Sequence, residues 1–181
     1  MVPAFPGQAG GVFVITVRRP ETTADLDDVR AIMRAFVAWH RERHVEDLAL
    51  IDEYFDQNEF EDELASLPGK YAPPDGQLFL ANHDGKPAGC VALRRIDSQA
   101  CEMKRMFLYP HYHGKGIGRR LGEAIIRDAR AAGYAIMRLD TSWRQQEAQA
   151  LYSKLGFQRI DPYYDSPPAL KDWLVFFELR L

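Results

Sequence analysis

Apolar residues recur at two different spacings along this chain, and each spacing predicts one type of secondary structure. Residues 12–18 (VFVITVR) are rich in β-branched side chains and alternate, which predicts a first strand. From Leu26 to His40 the apolar residues recur every three or four positions, so we expect an amphipathic helix. The acidic stretch 46–63 has the same spacing and predicts a second helix or a pair of helices.

The second half of the chain alternates between short strand-like runs and helical patterns. Three prolines in residues 67–76 exclude a helix there and predict a loop. Asp84-Gly85 and Asp97-Ser98 predict hairpin turns between the strands on either side. The remaining pattern predicts strands at 77–82, 88–96, 100–109 and 135–141, helices from Ile117 and over 145–155, and a closing hairpin of 157–160 with 174–181.

A glycine-rich turn joins a strand to a helix within residues 108–133. It carries three alternate glycines and three nearby cations: Gly114, Gly116, Gly118, Lys115, Arg119 and Arg120. Glycines allow positive φ angles and a close backbone approach, and a helix start offers unpaired N–H groups with partial positive charge. The arrangement predicts a loop that binds phosphate or diphosphate. A tight turn without a ligand is the alternative.

The sequence of this turn does not match two common phosphate-binding motifs. The Walker loop would need glycine at Tyr109 and serine or threonine at Gly116. The dinucleotide fingerprint lacks its last glycine, because that position is Arg119 or Leu121 in the two registers. Asp140, an acid at the end of the next apolar run, meets the fingerprint's other requirement, so a dinucleotide-binding loop stays an alternative.

Two motifs resemble those of the GNAT superfamily of N-acetyltransferases. HGKGIG at residues 113–118 is similar to the family's acyl-coenzyme A loop, with His113 where arginine or glutamine is usual. EAQALYSKLGF at residues 147–157 is similar to the family's second signature, which ends a helix. The resemblance covers residues 77–181 well and the N-terminal third loosely.

The resemblance implies the GNAT fold, which has an α/β (α+β) architecture. Its central sheet is mixed and mostly antiparallel, with about six or seven strands and with helices on both faces. The length of 181 residues fits one domain. We expect that domain to span residues 12–181, after a flexible lead-in at residues 1–11.

The same resemblance implies a site for acetyl-CoA as co-substrate, without a metal. The strand before the glycine loop would hold the pantetheine arm and the thioester carbonyl through backbone groups of Met106, Phe107 and Leu108. Gln145 stands where relatives often carry asparagine, which makes it a further candidate contact. The loop residues expected at the coenzyme are His113, Gly114, Lys115, Gly116, Ile117, Gly118 and Arg119.

Two side chains are candidates for proton transfer. Tyr152 matches the tyrosine that acts as general acid in many relatives, and a phenol is protonated at neutral pH. A packing tyrosine is the alternative. Glu102 lies mid-strand, where relatives often place a carboxylate, and is the candidate base. A salt bridge between Glu102 and Lys104 is the competing interpretation.

The resemblance therefore predicts acetyl transfer from acetyl-CoA to the amine of a small molecule or amino acid, by direct attack in a ternary complex. An acyl-CoA-binding sensor without turnover is the main alternative, and a nucleotide-dependent oxidoreductase is the third. The acidic stretch 46–63 is either a solvated face or a negative field that attracts cationic amines. Two loops supply residues that either line the acceptor pocket or only decorate the surface: Lys70, Tyr71, Tyr163, Tyr164 and Trp173.

Composition and charge limit the partners. A net charge of −3 and a pI near 6.0 argue against a nucleic-acid binder, and no apolar run is long enough for a membrane span. The first residues lack the pattern of a signal peptide, so a cytoplasmic location is expected. Homodimers are common in the family that the chain resembles, so that assembly stays open.

Two pairs of residues are expected to have structural roles. His40 and His44 lie four apart but lack a third ligand, so we expect a surface or half-buried pair and no metal site. Cys90 and Cys101 fall inside apolar runs and are expected to be buried free thiols.

Overall fold

Seven strands form one open sheet in the computed structural model, which describes residues 13–181. The predicted lead-in at residues 1–11 lies outside the described residues. The strands are β1 (Ile15–Arg18), β2 (Gln77–His83), β3 (Lys86–Arg95), β4 (Ala100–Leu108), β5 (Ile136–Ser142), β6 (Gln158–Ile160) and β7 (Leu174–Arg180). The helices are α1 (Thr23–Arg43), α2 (Leu48–Tyr54), α3 (Gln57–Ala65), α4 (Ile117–Ala131) and α5 (Gln146–Lys154).

The strand order is β1-β2-β3-β4-β5-β7-β6, and every described pair is antiparallel except β4 with β5. Alternate residues of β2 enter different cores: Leu78 and Leu80 pack with α1 to α3, whereas Phe79 and Ala81 pack with α4. The sheet therefore carries helices on both faces, and the predicted mixed architecture is confirmed. No helix within residues 13–181 is both long and apolar enough to cross a membrane.

The acidic stretch 46–63 forms the helix pair α2 and α3, as its spacing predicts. Most of its acids are exposed, but two are buried in ion pairs. Asp47 binds Arg144 at 2.9 Å and accepts a hydrogen bond from the Trp173 indole at 3.0 Å. Glu63 is the second, and it binds the central sheet. Most of this stretch is therefore a solvated surface, and the buried acids Asp47 and Glu63 attach it to the rest of the fold.

A bulge interrupts β4 where it pairs with β3. Between the pairs Cys90–Phe107 and Ala92–Lys104, β3 has one residue and β4 has two. Arg105 lies in this bulge with a φ of +57°, in the left-handed region that non-glycine residues rarely adopt. The bulge turns the last residues of β4 out of the preceding register.

The two parallel strands also part near this point. Their described pairing runs only from Ala100–Ile136 to Glu102–Arg138. Within residues 13–181, the rest of β4 has no strand partner on the side that faces β5. Among residues 13–181, the backbone N–H and C=O groups along this edge of β4 therefore have no strand partner. They lie next to the opening between β4 and β5.

Glu63 of α3 holds the bulge in place. Arg105 donates to both of its carboxylate oxygens, from Nε to Oε1 at 2.7 Å and from Nη2 to Oε2 at 3.0 Å. The Tyr71 hydroxyl donates to Oε1 at 2.9 Å, and Lys70 Nζ donates to Oε2 at 2.7 Å. Lys70 and Tyr71, which the sequence places near the acceptor, are thus held by Glu63.

We predict that this contact makes the fold sensitive to acid. Burial alone would favour the neutral acid, but Arg105 and Lys70 lower the pKa of Glu63 from its ordinary 4.5 to about 2. The unfolded chain therefore binds a proton more readily, and the stabilisation is complete above pH 4.5. It should fall by about 3 kcal/mol as the pH drops from 4.5 to about 2, measured by urea unfolding.

Glu63→Gln should remove this part of the pH dependence and lower the free energy of unfolding at pH 7, because Arg105 loses its counter-charge. Glu61→Gln is the matched control on the same helix, since its pair with Arg34 is half exposed and worth less than about 1 kcal/mol. Equal pH profiles for the parent and Glu63→Gln would contradict the prediction.

Candidate active site

A cleft of about 970 Å³ runs along the end of β4, the start of α4 and one side of α5. This volume lies within the range of about 300 to 1,000 Å³ that is typical of ligand and cofactor sites. Met106, Phe107 and Leu108, the residues predicted to face the pantetheine arm, line it. They belong to the part of β4 that has parted from β5.

The glycine loop forms one end of the cleft. Gly114 and Gly116 have φ angles of +77° and +79°, which explains why glycine occupies both positions. Gly116 is the N-cap of α4 and provides no side chain to cap it. The first N–H groups of a 15-residue helix are therefore left for a ligand, as a diphosphate requires.

The predicted coenzyme residues converge on this cleft with one exception. His113, Gly114, Gly116, Ile117, Gly118, Arg119 and Gln145 line it. Lys115 lies outside the lining within the described part of the chain, and its ammonium stacks on the rings of Phe13 and Tyr112. Arg120 also points elsewhere, because its Nη1 donates to the Ile15 carbonyl at 3.1 Å.

Gln145 carries a polar group that the fold leaves unused. The residue is buried at the N-cap of α5, and its Nε2 has no hydrogen-bond partner among residues 13–181. Buried amide groups nearly always have a partner. A free donor on the wall of the cleft fits a ligand with carbonyl groups, such as the pantetheine arm of coenzyme A.

A smaller cavity of about 40 Å³ adjoins the cleft on the side of α1 and α2. It has room for a few water-sized groups. Phe36, Met106, Thr141 and Tyr152 line both spaces, so the two meet at these residues. We refer to it as the acceptor-side cavity, because it lies beyond the point where the cleft reaches the parted strands.

Tyr152 occupies this junction. Its ring packs against Phe157 and Phe177 at centroid distances of 6.0 and 6.1 Å. Burial, followed by the negative charge of Asp140, raises the pKa of the phenol above its usual range. The hydroxyl therefore stays protonated at neutral pH and is able to donate a proton.

A polar cluster forms the floor of the acceptor-side cavity across the gap between β4 and β5. Lys104 Nζ lies 3.3 Å from Asp140 Oδ1 and 3.0 Å from the Tyr54 hydroxyl. Tyr54 and Tyr164 donate to the two oxygens of Asp140 at 2.5 and 2.6 Å. Although burial opposes both charges, their mutual attraction raises the pKa of Lys104 and lowers that of Asp140, so the pair stays ionised.

Glu102 is fully buried and does not line the acceptor-side cavity within the described residues. Arg94 Nε and the Tyr163 hydroxyl each donate to its carboxylate at 2.5 Å. Lys104 Nζ lies 3.8 Å from Glu102 Oε1, so the salt bridge of the competing interpretation is present. Glu102 therefore touches the cavity only through Lys104.

Most residues of the acceptor-side cavity were not assigned to it from the sequence, among them His40, Tyr54 and Asp140. His40 and His44 were expected at the surface or half buried, but both are buried, His40 within α1 and His44 at its C-cap. No group of three or more potential metal ligands exists among residues 13–181. The position of Asp140 at the end of an apolar run was the one available signal.

The comparisons with known proteins agree with this geometry. The family model described as "Acetyltransferase (GNAT) domain" matches residues 74–159 of this chain. An uncharacterised N-acetyltransferase of Schizosaccharomyces pombe is 38% identical over 109 residues, which are 59% of this chain and 67% of that protein.

Solved structures show the same fold. An acetyltransferase from Streptococcus agalactiae superposes with a TM-score of 0.70 at 23% identity, over 92% of this chain and 98% of the other. The PaiA N-acetyltransferase of Thermoplasma acidophilum, solved in complex with coenzyme A, gives a TM-score of 0.68 at 20% identity, over 93% and 99%. This chain therefore belongs to the GNAT family of acetyltransferases and is an acetyltransferase enzyme.

Proposed function

We propose that the enzyme transfers an acetyl group from acetyl-CoA directly to the amine of a small molecule or amino acid, with both substrates bound at once. The observation that carries this proposal is the meeting of the large cleft and the acceptor-side cavity at Tyr152 and Met106. Adjoining spaces favour direct attack, because neither substrate has to leave before the other enters.

The coenzyme would lie along the large cleft. The free N–H groups at the start of α4 would hold the diphosphate, with His113 and Arg119 at the same end. The buried Nε2 of Gln145 would donate to a carbonyl of the pantetheine arm. These contacts would place the thioester at the junction of the two spaces.

The free edge of β4 would stabilise the reacting carbonyl. Main-chain N–H groups in the segment from Met106 to Leu108 are held by the bulge and the β3 pairing. A fixed donor directed at the thioester oxygen stabilises the negative charge that develops there when nitrogen attacks. Such a donor is worth about 3 kcal/mol in comparable sites.

Tyr152 would act as the general acid. The amine nitrogen forms a bond to the acetyl carbon, the carbon–sulfur bond breaks, and the departing sulfur takes the phenolic proton. The proton is present at neutral pH, because the pKa of the phenol lies above its usual value, and the position of Tyr152 at the junction of the two spaces supports this role. The proton lost by the nitrogen must leave through a base.

Glu102 remains our proposed base, and its position requires an indirect path. The carboxylate reaches the acceptor-side cavity through Lys104, which contacts both Glu102 and Asp140. A proton released in the cavity would pass along this cluster or through water. The charge of Glu102 would also help keep Lys104 in position.

We predict that coenzyme A release from acetyl-CoA, followed with a thiol reagent, will depend on one class of amine. The panel should contain polyamines, amino acids, aminoglycosides and aryl amines, because the acceptor-side cavity is lined by polar and aromatic groups. Tight acetyl-CoA binding by calorimetry with no release for any amine would favour a sensor. Absence of binding would overturn the assignment of the cleft.

We predict that Tyr152→Phe will lower turnover at least about tenfold while acetyl-CoA affinity stays nearly unchanged, because the variant removes only the proton donor. Calorimetry and steady-state kinetics would separate the two effects. Tyr134→Phe is the control, since Tyr134 is also buried but donates to the Asp75 carbonyl away from the cleft. An unaltered rate in Tyr152→Phe would remove this residue from the mechanism.

We predict that Glu102→Gln will lower kcat at least about tenfold, because glutamine keeps the shape of the side chain but cannot take a proton. Glu178→Gln is the control, because Glu178 forms an ion pair with Arg138 at 2.9 Å outside both cavities. An unchanged kcat in Glu102→Gln would remove this residue from the mechanism.

A further inference from the structure

The imidazole of His40 is a buried polar group to which the proposed mechanism gives no role. The residue is 2% exposed, and its Nδ1 has no hydrogen-bond partner among residues 13–181. A polar group left unpaired in the interior costs stability. A buried imidazole with an unpaired nitrogen therefore needs an explanation. His40 also forms part of the wall of the acceptor-side cavity.

Packing alone fixes the ring. His40 lies one turn after Phe36 on α1, and the two rings are 5.9 Å apart between centroids. Trp173 and Phe55 approach the imidazole at 5.6 and 6.4 Å. The aromatic neighbours thus orient the imidazole, which lines the cavity while its Nδ1 has no hydrogen-bond partner among residues 13–181.

The imidazole is uncharged at neutral pH. Burial, followed by the nearby His44, lowers the pKa of His40 to about 4. A neutral imidazole offers one acceptor nitrogen and one N–H donor. The titratable and charged groups around it are His44 and Arg43 on the same helix, Asp47 after it, and Tyr54, Lys104, Arg105, Asp140 and Tyr152 around the cavity.

The charged groups of the cavity are already engaged. Asp140 accepts hydrogen bonds from Tyr54, Tyr164 and Lys104. Arg105 is bound to Glu63. An amine that enters the cavity brings N–H donors, and the imidazole of His40, which lines the cavity, is an acceptor that none of these contacts occupies.

We propose that the imidazole of His40 accepts a hydrogen bond from the amino group of the acceptor and holds its nitrogen beside the thioester. The inference rests on the proposed acetyl transfer to an amine and names a binding residue for it. It assigns α1 a direct part in acceptor binding, in addition to its packing on the sheet.

The test compares steady-state kinetics of the parent and of His40→Leu. The probes are propylamine, benzylamine, spermidine and glutamate, and the variants are measured with the probe that the parent acetylates fastest. His40→Leu should raise the KM for that amine about tenfold, the effect of one lost hydrogen bond. The KM for acetyl-CoA should not change, because the large cleft is untouched.

Two variants test whether the hydrogen bond itself is responsible. His40→Asn places an amide oxygen near the position of Nδ1, and His40→Gln places one near Nε2. One of them should restore the amine KM to within about threefold of the parent value, because a neutral acceptor is regained. His40→Leu should be at least as stable to heat as the parent, since it removes an unpaired buried group.

His44→Leu is the matched control. His44 is also buried on α1, and its Nε2 is likewise unpaired among the described residues, but it lies outside the cavity lining. Its amine KM should equal that of the parent. An unchanged amine KM in His40→Leu, or equal losses in all three His40 variants, would overturn the role of His40 alone. No turnover by the parent with any probe would instead overturn the proposed function, and this inference with it.

Discussion

The parting of β4 from β5 is the constraint on which both cavities depend. Three residue pairs hold the strands parallel, and beyond Glu102 and Arg138 each continues without the other. Such an edge would normally close by hydrogen bonding. The bulge at Arg105, fixed by Glu63 from a helix on one face of the sheet, keeps the end of β4 turned away. The unpaired backbone that results is the surface on which a thioester can be held.

Across the same gap, side chains replace the missing backbone contacts. Lys104 from β4 meets Asp140 from β5, and Tyr54 and Tyr164 close over the pair. The cluster bridges the strands without allowing them to pair. Removing one charge would leave the other buried without compensation, which is costly. The floor of the acceptor-side cavity therefore also supports the fold.

The sequence predicts well which residues line the large cleft, because the signal there is local. Alternate glycines, the start of α4 and the apolar run of β4 lie close together along the chain. The acceptor end could not be predicted in the same way. Tyr54 and Asp140 are separated by 86 residues and meet only through tertiary packing. The bulge was equally hidden, because arginine gives no sign that its φ will be positive.

The division of the two cavities along the chain has a consequence for engineering. The large cleft is built mainly from one continuous stretch between Met106 and Leu155, to which α1 adds Phe36 and Trp39. The acceptor-side cavity also takes walls from α1, α2 and the connection that ends at Trp173. These outer segments can be exchanged between homologues or randomised in a library while the glycine loop stays intact. Most of the large cleft then stays constant, and the exchanged segments set the range of acceptor substrates.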